Sequence, residues 1–163
     1  MSPDTQRKHP PQGLAHWLSR FPLWLYRLRL GFLLGNRFLM LTHTGRKSGL
    51  PRQTVLEVVR HDTLTDSYVV ASGWGEKSNW FRNILKNPRV SIAVGLRRLQ
   101  AVAVRLSPEG AQHEFSDYAR RHPRAFRMLS SRMLGGATGD TEVDCLLLAR
   151  NIPIVVLQTL GKQ

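Results

Sequence analysis

The residues best suited to chemistry lie in one short stretch, Gly45-Arg46-Lys47-Ser48-Gly49-Leu50-Pro51-Arg52. Gly45 and Gly49 permit the positive φ values that a tight turn needs. Arg46, Lys47 and Arg52 then bring three cations together across a hairpin. Ser48 adds a hydroxyl, and turn N–H groups can form an anion-binding nest. Such a set grips a phosphate-bearing ligand; the plainer alternative is a solvated basic turn. The spacing is not that of a Walker loop, G-x-x-x-x-G-K-[ST].

A second group follows in Ala71–Asn87, ASGWGEKSNWFRNILKN. A Gly-Trp-Gly turn leads into a helix opening near Ser78, whose first N–H groups face an anion or an electronegative ring edge. Trp80 and Phe81 supply flat apolar surface, and Arg82 and Asn83 supply donors. Taken alone, Trp74 and Trp80 read equally well as core. Other chemistries find no footing. His16, His43, His61, His113 and His122 show no metal-ligand spacing with each other or with Cys145. No nucleophile elbow is present. Cys145, the one cysteine, sits in the apolar run CLLLA and reads as a buried thiol in a reducing compartment.

Charge sharpens the choice of ligand. The 163 residues carry a formal net charge of +13. No acid occurs between Asp4 and Glu57, nor from Lys77 to Arg105. Such a surface attracts polyanions: nucleic acid, anionic lipid, or a phosphorylated or polycarboxylate cofactor. No nucleic-acid motif accompanies the charge, so nucleic acid is not an expected partner.

The elements that must position these groups follow from periodicity. Residues 1–11 read as a flexible tail, and residues 12–163 as one domain. From Gln12 to Leu34 apolar residues recur at helical spacing, among them Leu14, Trp17, Leu18, Phe21 and Leu25, with Arg20, Arg27 and Arg29 interleaved. The arginines exclude a membrane span. A basic amphipathic helix of this kind packs on its own domain or a partner subunit, or lies on an anionic membrane surface. Strands are expected over Arg37–Thr44, Arg52–Arg60, Ser67–Ser72, Val90–Gly95, Leu99–Leu106 and Ile152–Leu160. Helices are expected over Asn79–Asn87, from Ser107 as N-cap to Arg121, and from Pro123 to Met133. Val143–Arg150 fits helix or strand. The sum is an α+β domain around a small antiparallel barrel.

The run T-x-T-G-R-K-S-G-x-P-R, then V-V-A-S-G-W-G, then S-N-W-F-R-N-I-L-K-N-P-R-V, resembles the deazaflavin-dependent nitroreductase family over Phe38 to Val94. The resemblance implies a split antiparallel β-barrel of the FMN-binding type with flanking helices. It also implies coenzyme F420 as cofactor, with FMN the alternative. By that likeness Arg46, Lys47, Ser48 and Arg52 hold the phosphate and tail, and Gln53, Thr54, Val55, Leu56 and Glu57 run along the cofactor. Ala71, Ser72 and Gly73 lie near the ring, Asn79, Trp80, Phe81, Arg82 and Asn83 complete the pocket, and Ser72 is the catalytic candidate. The implied reaction is hydride transfer from F420H2 to a small hydrophobic acceptor: a quinone, nitro compound or conjugated enone. A homodimer is implied too. The N-terminus has no secretory apolar core, so a cytoplasmic protein is expected, peripheral at the inner face of the membrane if the basic helix lies on lipid. Two departures stand out. Thr141–Arg150 lacks the tyrosines that line the family's substrate pocket, and a helical insertion, DYARRHPRAFRMLSSRMLGG, follows Pro108 and carries Tyr118. A non-catalytic basic protein binding nucleic acid or a membrane surface is the competing class.

Overall fold

The structure, a computed structural model, describes residues 36–161. The expected tail and the helix over 12–34 lie outside the described residues. Six strands form a closed antiparallel barrel: β1 (Phe38–Thr44), β2 (Pro51–Asp62), β3 (Ser67–Ala71), β4 (Arg89–Val94), β5 (Arg97–Arg105) and β6 (Ile154–Thr159). They close in the order β1-β2-β3-β6-β5-β4. Helix α1 (Asn79–Lys86) joins β3 to β4, while α2 (Pro108–Arg121), α3 (Pro123–Leu134) and α4 (Thr141–Asn151) fill the connection from β5 to β6.

The register explains the sequence pattern. In β1, Leu39 and Leu41 are fully buried in the barrel. Strands β3 and β6 read as continuous apolar runs, SYVVA and IVVL, because both faces are covered. Tyr68, Val70, Val155 and Leu157 fill the barrel, while Val69 and Ile154 pack with Phe115, Phe126, Cys145 and Leu148 of the outer helices. Helix α1 plugs one end of the barrel with Trp80, Phe81 and Ile84.

The ambiguous segment 143–150 is helix. Asp140 caps α4 by accepting from the backbone N of Glu142 (2.9 Å) and Val143 (3.2 Å). The buried carboxylate of Asp144 accepts from Thr138 N (3.0 Å) and Oγ1 (2.8 Å), tying the preceding loop to the helix. Strand β2 carries a bulge between Val58 and Arg60. Val58 packs with the barrel core, whereas Val59 packs with the outer helical layer.

Candidate functional site

Strand β2 runs past two clefts of opposite character. The first, of 460 Å³, is lined by His43, Gly45, Arg46, Lys47, Ser48, Arg52, Gln53, Asn79 and Asn83. Its turn is a closed loop: Gly45 N donates to Leu50 O and Gly49 N to Gly45 O, both at 2.8 Å. Gly49 has φ +67°, and a Cβ on Gly45 would stand 2.6 Å from Ser48 Oγ, so both positions call for glycine.

Arg46 is pre-set by helix α1. Its Nη1 and Nη2 each donate to Asn79 Oδ1 at 3.2 Å, and its backbone N and Nη1 each donate to Asn83 Oδ1 at 3.0 Å. From the far end of α1, Lys86 Nζ donates to Arg46 O at 2.9 Å. All these acceptors are neutral, so the guanidinium keeps its charge for a ligand. No ion pair among the described residues engages Arg46, Lys47 or Arg52. No carboxylate lines this cleft. His43 lies at its floor, opposite Arg52 across the β1–β2 ladder. Burial, then the charge of Arg52, pushes its basicity below the usual histidine value.

The second cleft, of 230 Å³, is lined by Glu57, Val58, Val59, Ala71, Gly73, Phe115, Tyr118, Leu129, Met133 and Ile152. It is apolar apart from the Glu57 carboxylate and the Tyr118 hydroxyl. Glu57 stands at its rim, where Arg37 donates to it from Nε and Nη2 at 3.2 Å.

The expected site residues divide accordingly. Arg46, Lys47, Ser48, Arg52, Gln53, Asn79 and Asn83 meet in the basic cleft; Glu57, Ala71 and Gly73 meet at the apolar one. Thr54 and Val55 lie half-buried on β2 between them. Five expectations need correction. Ser72 is fully buried, its hydroxyl shared between Gly75 O (2.7 Å) and Ser78 Oγ (2.8 Å), so it builds the turn and presents no donor to either cleft. Trp80 and Phe81 point into the barrel, and Leu56 joins them there. Arg82 is exposed and donates from Nε to Glu76 O (3.1 Å), clasping α1 to the preceding turn. Ser78 stands at the start of α1, as expected, and opens it without a side-chain cap.

The sequence reading missed His43, whose position two residues before Gly45 was the available signal. It also missed the wall of the apolar cleft from α2, α3 and the end of α4. The insertion noted after Pro108 supplies Tyr118, Leu129 and Met133 to that wall.

The donor set fits a phosphorylated, acidic cofactor: three unpaired cations, a serine hydroxyl and no competing carboxylate beside an apolar slot. Residues 24–135 match the sequence profile of the F420H(2)-dependent quinone reductases. The chain belongs to that family. It is an F420H2-dependent oxidoreductase, and its cofactor is coenzyme F420. Solved structures agree on the fold. A chain titled F420-H2 dependent reductase (FDR-A) is 21% identical with a TM-score of 0.50, covering 76% of this chain and 95% of that one. A second, titled a domain-swapped dimer, is 21% identical with a TM-score of 0.53, covering 88% and 98%. An FMN binding protein related to pyridoxamine 5'-phosphate oxidase, from Nostoc punctiforme, is 18% identical with a TM-score of 0.54, covering 90% and 82%. This F420H2-dependent quinone reductase family member thus has the split-barrel architecture, with three helices between β5 and β6.

Proposed function

We propose that coenzyme F420 lies along β2, with its phosphate and acidic tail in the basic cleft and its ring at the apolar one, and that a small quinone-class acceptor is seated against α2 and α3. The observation that carries this reading is the course of β2. From Arg52 to Glu57 the strand advances roughly 17 Å, a span suited to a ligand with an anionic end and a flat apolar end. When bound, the reduced deazaflavin supplies a hydride at low potential.

The chain's own residues bind, orient and exclude water. Lys47, Arg52 and the pre-set Arg46 anchor the anionic end through charge-assisted hydrogen bonds. Ala71 and Gly73, lacking bulk, allow a flat ring to approach the turn. Phe115, Leu129, Met133 and Ile152 keep water from the acceptor. The Tyr118 hydroxyl is the donor this cleft offers to an acceptor's oxygen, the position where a reduced quinone must gain a proton.

The reading extends to the rest of the chain. Residues 12–163 form one domain that pairs with a second copy. The basic amphipathic segment 14–34 rests on the inner face of an anionic membrane, where a lipid-soluble acceptor is met. The charge of +13 and that segment's spacing support this part, and among the described residues no helix is long and apolar enough to cross a membrane. Sedimentation with anionic vesicles, with and without residues 1–34, tests the membrane contact, and the concentration dependence of mass in solution tests the pairing.

The deciding experiment for the site is a matched panel. Anaerobic F420H2 is oxidised by the protein with a small quinone, a nitroaromatic and an enone, followed by return of the oxidised coenzyme's absorbance. The quinone is expected to give the largest kcat/KM. No quinone turnover, or thermal stabilisation by FMN but not by F420, would refute the reading.

A further inference from the structure

We infer that His43 is an additional ligand for the anion held in the basic cleft, donating from Nε2, and that Asn83 is the positioning residue that prepares it. The inference rests on reading that cleft as the coenzyme's phosphate-end site. Its argument is a chain of donors and acceptors. Arg46 offers Asn83 two donors, the backbone N and Nη1, both 3.0 Å from Oδ1. Two donors on one side fix the amide with its oxygen towards Arg46, so Nδ2 faces His43 Nδ1 at 3.1 Å. An amide nitrogen only donates, so Nδ1 is the bare ring nitrogen and the proton sits on Nε2.

That N–H is unused. Nε2 has no hydrogen-bond partner among the described residues. His43 is only 5% exposed, yet it lines the basic cleft. A nearly buried ring in one fixed tautomer therefore shows a single free donor to a space walled by cations. Burial, then the charge of Arg52, lowers the ring's basicity, which favours the neutral form that donates from one nitrogen. An isolated cation in this turn would attract any anion; a fixed N–H selects where an anion's oxygen rests.

Two measurements test this. In the coenzyme-free protein, nitrogen-15 spectra of the histidine rings, with His43 identified from His43→Asn, should show a bare Nδ1 and a protonated Nε2. Asn83→Asp puts an acceptor beside Nδ1 and should move the proton there. For binding, fluorescence polarisation of F420 compares two isosteres. His43→Gln places an amide N–H near the former Nε2 and should keep most of the affinity. His43→Asn mimics only Nδ1 and should lose about tenfold or more. A deazaflavin fragment without phosphate and tail should bind both variants alike. Protonated Nδ1 in the wild type, equal F420 affinity of the two variants, or an equal loss for the fragment overturns the inference. If wild type and Lys47→Ala bind F420 equally poorly, the site reading itself falls, and the inference with it.

Discussion

The basic cleft and the apolar cleft share strand β2 and little else. The basic cleft is local in sequence: a turn, the first residues of one strand and one helix, all within residues 43–86. Its side chains are held by hydrogen bonds of fixed direction, from Lys86 on the turn's carbonyl to Asn83 between Arg46 and His43. The apolar cleft collects residues from β2, β3 and the turn after it, two helices and the residue that caps a third, spread over residues 57–152. Its walls are held mainly by packing, with the Arg37–Glu57 pair at the rim (3.2 Å) and the Arg60–Glu114 ion pair (2.6 Å) that fastens α2 to β2. The basic cleft is thus a polar frame of fixed geometry, and the apolar cleft a packed surface that tolerates substitutions of like volume.

The sharpest way to break this contrast is to remove the frame's support. Phe81 is fully buried in the barrel beneath the helix that carries Asn79 and Asn83. Phe81→Ala should cost about 3–5 kcal/mol in a urea titration, and the surviving folded protein should bind F420 more weakly. Intact F420 affinity in that variant would mean the turn needs no scaffold. Next come the anchors. Lys47→Ala or Arg52→Ala should each weaken F420 binding by about 1.5–3 kcal/mol, with steep salt dependence and the acceptor's KM unchanged. A rise in acceptor KM would join two sites that the geometry separates. On the other side, Leu129→Ala should raise acceptor KM by roughly 1–2 kcal/mol of lost apolar contact while leaving the Kd for F420 alone.

The smallest expected effect is a pH slope. His43 is less basic in the fold than its ordinary value of 6.5, through burial first and Arg52 second. Arg46 and Lys47 also line the cleft, and no carboxylate does. Below pH 6.5 the unfolded chain therefore binds the extra proton first. Stability should be full above pH 6.5 and fall as pH drops through the window beneath it, a slope that His43→Gln removes. Asp66 behaves as a separate acid-range check. Hydrogen bonds from Arg97 (2.5 Å) and His61 lower its pKa to about 2, so its contribution holds above 3.8 and fades below.

Sequence legibility followed the same divide. The turn was readable because glycine, cation and proline chemistry acts over neighbouring residues. The strands were readable where one face met solvent or where doubly covered β3 and β6 became unbroken apolar runs. Trp80 and Phe81 misled because a helix plugging a barrel and a helix flanking a ring show the same residues at its start. Ser72 misled because a hydroxyl in a turn has the same letter whether it faces a ligand or Gly75 O. Tyr118 was visible as a tyrosine on an insertion, but its return to β2 depends on how α2 and α3 pack, which no local pattern encodes. Val143–Arg150 stayed open because its short apolar run suits a buried strand as well as a helix; Asp140 as N-cap decides it.

The bulge in β2 has one more implication. Val58 faces the barrel, Val59 and Arg60 both face the helical layer, and His61 returns inward to stack on Tyr68. Val59 is thus a supernumerary residue inserted between two partners that would alternate correctly without it. Removing it would restore plain alternation from Val58 to Arg60 while leaving the β1–β2 register at Arg52 in place. The bulge therefore sets the β2 side of the apolar cleft independently of the register that brings Arg52 to the basic one, so a variant lacking Val59 should alter that cleft alone.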